Sequence, residues 1–91
     1  MPPSVRFDDT ASSNATFLEV RAPDMVGVLH RITKAIADLG LDIRHARVLT
    51  LGHEVVDSFY VRQQNGEQIT DKDYKDEISR AVLYVLGEQS R

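Results

Sequence analysis

Apolar and polar residues alternate over positions 16–22, with Leu18 and Val20 on one side and Glu19 and Arg21 on the other, which predicts a strand buried on one face. After Gly27 the repeat lengthens. Val28, Leu29, Ile32, Ala35, Ile36 and Leu39 recur at steps of three and four, while His30, Arg31, Lys34 and Asp38 fall largely on the opposite side, predicting an amphipathic helix. Gly40 suits a left-handed helix stop, and Leu41 beyond it can close the hydrophobic contact of such a stop. At the other end, Asp24 is placed to cap the first turn, where a carboxylate accepts orphan N–H bonds and meets the positive end of the helix dipole.

The same alternation resumes downstream. Positions 43–51 read as a strand whose apolar residues slip phase, 41 and 43 against 46 and 48, so a bulge near His45 is expected. Gly52-His53-Glu54 is a turn. Positions 55–62 form the partner strand of a hairpin, with Val55, Phe59 and Val61 on one face and Val56, Ser58 and Tyr60 on the other. A polar loop over 63–67 leads to a last helix over about 71–86, with Thr70 and Asp73 as its capping pair and Tyr74, Ile78, Ala81, Val82 and Val85 as its apolar stripe. At the front, Val5 and Phe7 alternate with Arg6 and Asp8, and the turn-rich residues 9–14 join this arm to the 16–22 strand as another hairpin.

Two hairpins, each followed by a helix, give the order ββαββα. That order predicts an α+β two-layer sandwich, a four-stranded antiparallel sheet with both helices on one face. It is a permuted ferredoxin-like arrangement, with the first strand on the edge that a final strand would otherwise occupy and a spatial order of first, second, fourth, third. Residues 1–14 are expected to supply the edge strand and turn, 15–87 the domain core, and 88–91 a frayed C-terminus.

Composition narrows the function. Ninety-one residues suit one domain with a modest core, to which oligomerisation would add. A net charge of -3 argues against a nucleic-acid footprint or an anionic membrane surface. There is no cysteine, which removes disulfides and thiolate metal sites. No apolar run reaches membrane-spanning length, and the Met-Pro-Pro-Ser start lacks the apolar core of a signal peptide, so Asn14-Ala15-Thr16 is not read as a glycosylated triplet.

Catalytic constellations are missing from the pattern. His30, His45 and His53 fall on a helix flank, a strand and a turn without close ligand spacing, so no metal site is expected. Ser58 lies mid-strand rather than at a nucleophile elbow. Asp24 and Asp42 sit at turn ends next to glycines, where capping and solvation account for them as well as an acid–base pair would. What remains is the strand-to-helix turn. There, free amides beside Gly27 would receive a small anion such as a carboxylate, although a well-capped helix alone would give the same residues.

These segments resemble a known family. Leu18-Glu19-Val20, then Asp24-Met25-Val26-Gly27-Val28-Leu29, the 32–39 stripe, Gly40-Leu41-Asp42-Ile43 and Val55-Val56-Asp57-Ser58-Phe59-Tyr60-Val61 together resemble the ACT domain, a regulatory module that binds amino acids, over residues 15–86. Within that family, the 43–48 and 51–61 segments look most like the C-terminal ACT domain of bacterial protein-PII uridylyltransferases, the bifunctional uridylyltransferase and uridylyl-removing enzymes of nitrogen control.

The resemblance implies no catalysis by this chain and no cofactor. It implies instead a cytoplasmic regulatory piece of a larger enzyme, pairing with another ACT domain or with a second copy of itself, and glutamine as the signal. It also implies a site: the backbone around Asp24, Met25, Val26, Gly27 and Val28 would hold the ligand's carboxylate, and Asp42, after Gly40-Leu41, would accept its ammonium. Family members typically read Asp-Arg-Pro-Gly where this chain reads Asp24-Met25-Val26-Gly27. Without the proline the turn is less pre-set, and without the arginine a charge that could meet a carboxylate is gone. The remaining alternative is a pairing domain without its own ligand, or an amino-acid sensor from another metabolic enzyme.

Overall fold

The computed structural model describes residues 2–87, and the frayed end expected at 88–91 lies outside them. Its elements are β1 (Ser4–Asp8), β2 (Thr16–Pro23), α1 (Val28–Asp38), β3 (Asp42–Leu51), β4 (Glu54–Arg62) and α2 (Lys72–Val85). The strands form one antiparallel sheet in the order β1-β2-β4-β3, the permuted ferredoxin-like order expected from the pattern.

Alternation decides which side chains meet the helices. In β2, Thr16, Leu18, Val20 and Ala22 are buried while Phe17, Glu19 and Arg21 are half-buried on the other face. In β4, Val55, Phe59 and Val61 join the core with them. From above, α1 adds Val28, Ile32, Ala35 and Ile36, and α2 adds Ile78 and Val82. Phe59 and Leu18 are register partners at the centre and fully enclosed, and truncating the phenylalanine to alanine costs about 3–5 kcal/mol at such a site. Leu29, expected on the buried stripe, is half out in solvent.

The ends of α1 explain its length. Gly40 takes φ 80°, its amide donates to Ala37 at 2.9 Å, and the Leu41 amide reaches back to Ile36 at 3.4 Å. That is the paired stop expected from the glycine, and the buried Leu41 side chain seals it. For α2 the cap differs from expectation: Asp71, not Thr70 with Asp73, is the capping residue, and its side chain accepts the Asp73 amide at 3.0 Å. An aspartate two residues before an acceptable N–H closes the shorter ring.

Loop 63–71 is tied down by polar bonds. Thr16, buried at the start of β2, accepts the Ile69 amide on its hydroxyl at 2.7 Å. Gln68 donates to the carbonyls of Ser12 and Ala15, each at 3.0 Å. The Lys75 ammonium meets Asp9 at 2.7 Å, joining α2 to the β1–β2 turn.

β3 stands apart. It pairs with β4 along its whole length, with Arg44 left over between Ile43 and His45 as the bulge. Yet nearly all of it is exposed, including Ala46 and Val48 on the helix-side face. It is an edge strand that the helices only partly cover, with its outer row of backbone groups unclaimed by this sheet.

Candidate functional site

The turn from β2 into α1 is built by three constraints. The Asp24 amide donates to the His53 carbonyl at 2.8 Å, fastening the end of β2 beside the β3–β4 turn. The Val28 amide then bonds back to the Met25 carbonyl at 3.1 Å, folding the chain over on itself. Gly27 sits at the N-cap with φ 77°, and the first helical bond runs from the Arg31 amide to its carbonyl at 3.0 Å. A residue with a β-carbon is strained in that left-handed conformation, so glycine at 27 is a backbone requirement.

This geometry corrects the role of Asp24. The helix has no side-chain cap, because its N-cap is three residues further on. Asp24 is still in the extended segment held by His53, and its exposed carboxylate does not reach the first-turn amides. Those amides are consequently open: among the described residues, the N–H groups of Met25, Val26, Gly27, Leu29 and His30 have no backbone acceptor. Those of Leu29 and His30 belong to the first turn of α1, at its positive end.

The other candidate residues fall into different environments. Met25 packs partly against the core and Val28 is buried, while Val26 projects almost wholly into solvent at 97% exposure. Asp42 is not brought to this turn within the protomer. It pairs in register with Arg62, whereas the turn adjoins Glu54 and His53, so the length of β4, roughly 26 Å at ~3.3 Å per residue, lies between them. Asp42 instead meets Arg44 at 3.1 Å on the surface.

A residue outside the expected set belongs to this region. Asp57 lies on the helix-side face of β4, between Val20 on β2 and Val48 on β3, and is 1% exposed. Both of its carboxylate oxygens are enclosed and have no hydrogen-bond partner among the described residues. Burial holds this carboxyl above the usual range, and the charge of Asp24 pushes it further in the same direction. The parity of 55, 57, 59 and 61 in the strand carried the signal: the apolar neighbours define a buried face, and an aspartate at 57 falls on it.

The opposite face of the sheet has a different character. Phe17 and Tyr60 stack edge-on there with ring centroids 5.3 Å apart, and the Arg6 guanidinium lies 5.8 Å from the Phe17 centroid. A shallow concavity on that face is lined by Glu19, Arg21, Arg47, Leu49, Val56 and Ser58 and shares no residue with the 24–28 turn. Arg21 is occupied there by Glu19 and Glu54, at 3.6 and 3.5 Å. No helix among the described residues is long and apolar enough to cross a membrane.

With this geometry in hand, comparison with protein families gives one finding: residues 16–78 match the ACT domain. The match begins at the buried threonine of β2 and ends inside α2, so it contains the turn, the edge strand and Asp57.

Proposed function

Since the chain belongs to the ACT domain family, regulatory modules that bind small molecules, we propose that it binds an amino acid at the β2–α1 turn and passes that signal on through pairing. The observation that carries this reading is the set of unclaimed amides of Met25, Val26, Gly27, Leu29 and His30, on either side of a left-handed glycine at a helix N-terminus, the Val28 amide being bonded to the Met25 carbonyl. A carboxylate there gains charge-assisted hydrogen bonds and the favourable end of the helix dipole.

Pairing follows from β3. ACT domains generally dimerise, and here the exposed edge offers both unpaired backbone and apolar side chains, Val48, Leu49 and Leu51 being about half exposed. A second copy laid antiparallel along β3 would bring its own Asp42 towards the first copy's Leu51 end, where the β2–α1 turn sits. Asp42 could thus join the site only from across the seam. Ligand and pairing are then linked, each favouring the other by a coupling of about 1–3 kcal/mol.

The finer reading rests on resemblance of the 43–48 and 51–61 segments: the parent is a protein-PII uridylyltransferase, the ligand is glutamine and the compartment is the cytoplasm. Val26 supports a second reading. Its nearly complete exposure at the mouth of the turn suits an apolar contact, as in a pairing domain without its own ligand.

Calorimetry and sedimentation separate the two. Binding of glutamine or another common amino acid at millimolar concentration, with a ligand-dependent shift towards dimer, supports the sensor. Pairing that ignores every amino acid supports the second reading and removes the first.

A further inference from the structure

The loop amides account for only half of a zwitterion. An α-ammonium group carries three N–H donors and needs acceptors of its own, and a single carboxylate from across a seam leaves donors over. Asp42 is in any case already engaged by Arg44. Among the described residues of the protomer, the buried carboxylate with spare acceptors is Asp57: two oxygens, both enclosed, both unpartnered.

Its position fits that use. Asp57 is one strand in from the free edge, and the residue between it and that edge, Val48, is half exposed. It faces the helix layer, as the β2–α1 turn does, with Val20 as its neighbour on the strand that runs into that turn. A buried carboxyl without partners costs stability, so a polar group retained there calls for a compensating contact. The contact that the described residues do not supply is a donor, and a cationic one compensates best.

We propose that Asp57 is a specificity-determining residue of the amino-acid site, the acceptor inside the protomer for the ligand's ammonium group, while the amides of the 25–30 segment take its carboxylate. The inference rests on the amino-acid-binding reading above and adds the requirement that the ligand carry a free amine. Entry is past Val48, from the edge that pairing would later cover. Asp24, whose charge is felt at Asp57, adds a second negative group beside the path.

The test uses the whole chain and two probes, L-glutamine and N-acetyl-L-glutamine, which keeps the carboxylate and side chain but has no ammonium. Titration calorimetry is expected to show that Asp57→Asn weakens glutamine at least about tenfold, and that the N-acetyl compound binds wild type and variant equally weakly. A variant that binds glutamine as wild type does overturns the assignment of Asp57 while leaving amino-acid binding intact. Should the wild type bind no amino acid at all, both readings fall together. Carbon-detected NMR titration of the Asp57 carboxyl in the unmutated chain is independent of the variant's folding: saturating glutamine is expected to lower the pH at which the carboxyl ionises, and an unchanged titration overturns the proposal.

Discussion

Val20 and Asp57 are register partners on β2 and β4, both on the helix side and both essentially without solvent contact, so an aliphatic side chain and a carboxyl share one dry layer. The pair gives the fold one source of pH dependence. The folded-state pKa of Asp57 is raised above 3.8, so its proton is held more tightly in the folded chain than in the unfolded one. The stabilisation this provides is complete below the unfolded value and lost as pH rises through the folded one. At neutral pH the domain is therefore folded against a penalty at this site.

Replacing that carboxyl with a neutral isostere removes the penalty. Asp57→Asn is expected to melt higher than wild type at pH 7, by about 4–8 °C for each kcal/mol recovered in a domain of this size. The gain should shrink as pH falls towards 3.8. Thermal melts of both proteins from pH 4 to 8 check it; parallel curves would mean that Asp57 ionises as freely folded as unfolded.

Thr16 makes the opposite kind of contribution. Its buried hydroxyl satisfies the Ile69 amide, and Thr16→Val keeps the shape while orphaning that donor. A loss of about 1–3 kcal/mol is expected, visible as a lower urea midpoint at unchanged slope. An unchanged midpoint would show that water or a shifted loop replaces the hydroxyl.

Gly27 tests backbone strain in isolation. A β-carbon added there would touch nothing within 4 Å, so Gly27→Ala carries only the cost of φ 77°. That is about 1–2 kcal/mol, with Gly27→Asn costing less because asparagine tolerates the left-handed region. Chemical denaturation of the two variants gives the ordering; equal or reversed losses would contradict it.

The edge strand should separate folding from pairing. Leu49→Lys and Leu51→Lys place charge on half-exposed positions away from Asp57 and are expected to change monomer stability by no more than about 0.5 kcal/mol. Both should move any self-association to higher concentration in sedimentation velocity. If neither variant weakens association, β3 is not the seam.

Much of this was legible in the sequence, for a physical reason. The alternation over 16–22 and the three-and-four repeat after Gly27 are forced by burial of one face, so element type and a bulge near His45 follow from parity, and the permuted strand order follows from two hairpins each succeeded by a helix. Asp24 misled because capping rules count sequence distance, whereas a left-handed glycine spends three residues on the bend before the helix begins. Thr70 misled similarly, since Asp71 offers a shorter ring to the same turn. The Thr16–Ile69 bond joins positions 53 apart, and no local period encodes it. Asp57 was visible in the parity of its strand, yet a carboxylate on a buried face runs against the rule that made the face readable.

The two edges of the sheet are unlike. β1 is five residues long, begins after Pro2-Pro3 and presents Arg6 and Asp8, whereas β3 is ten residues long and studded with bare aliphatics. One rim is blunt and the other adhesive. Joined adhesive rim to adhesive rim, two molecules would leave only blunt rims facing outward, and growth would halt at a pair rather than continue into a fibre.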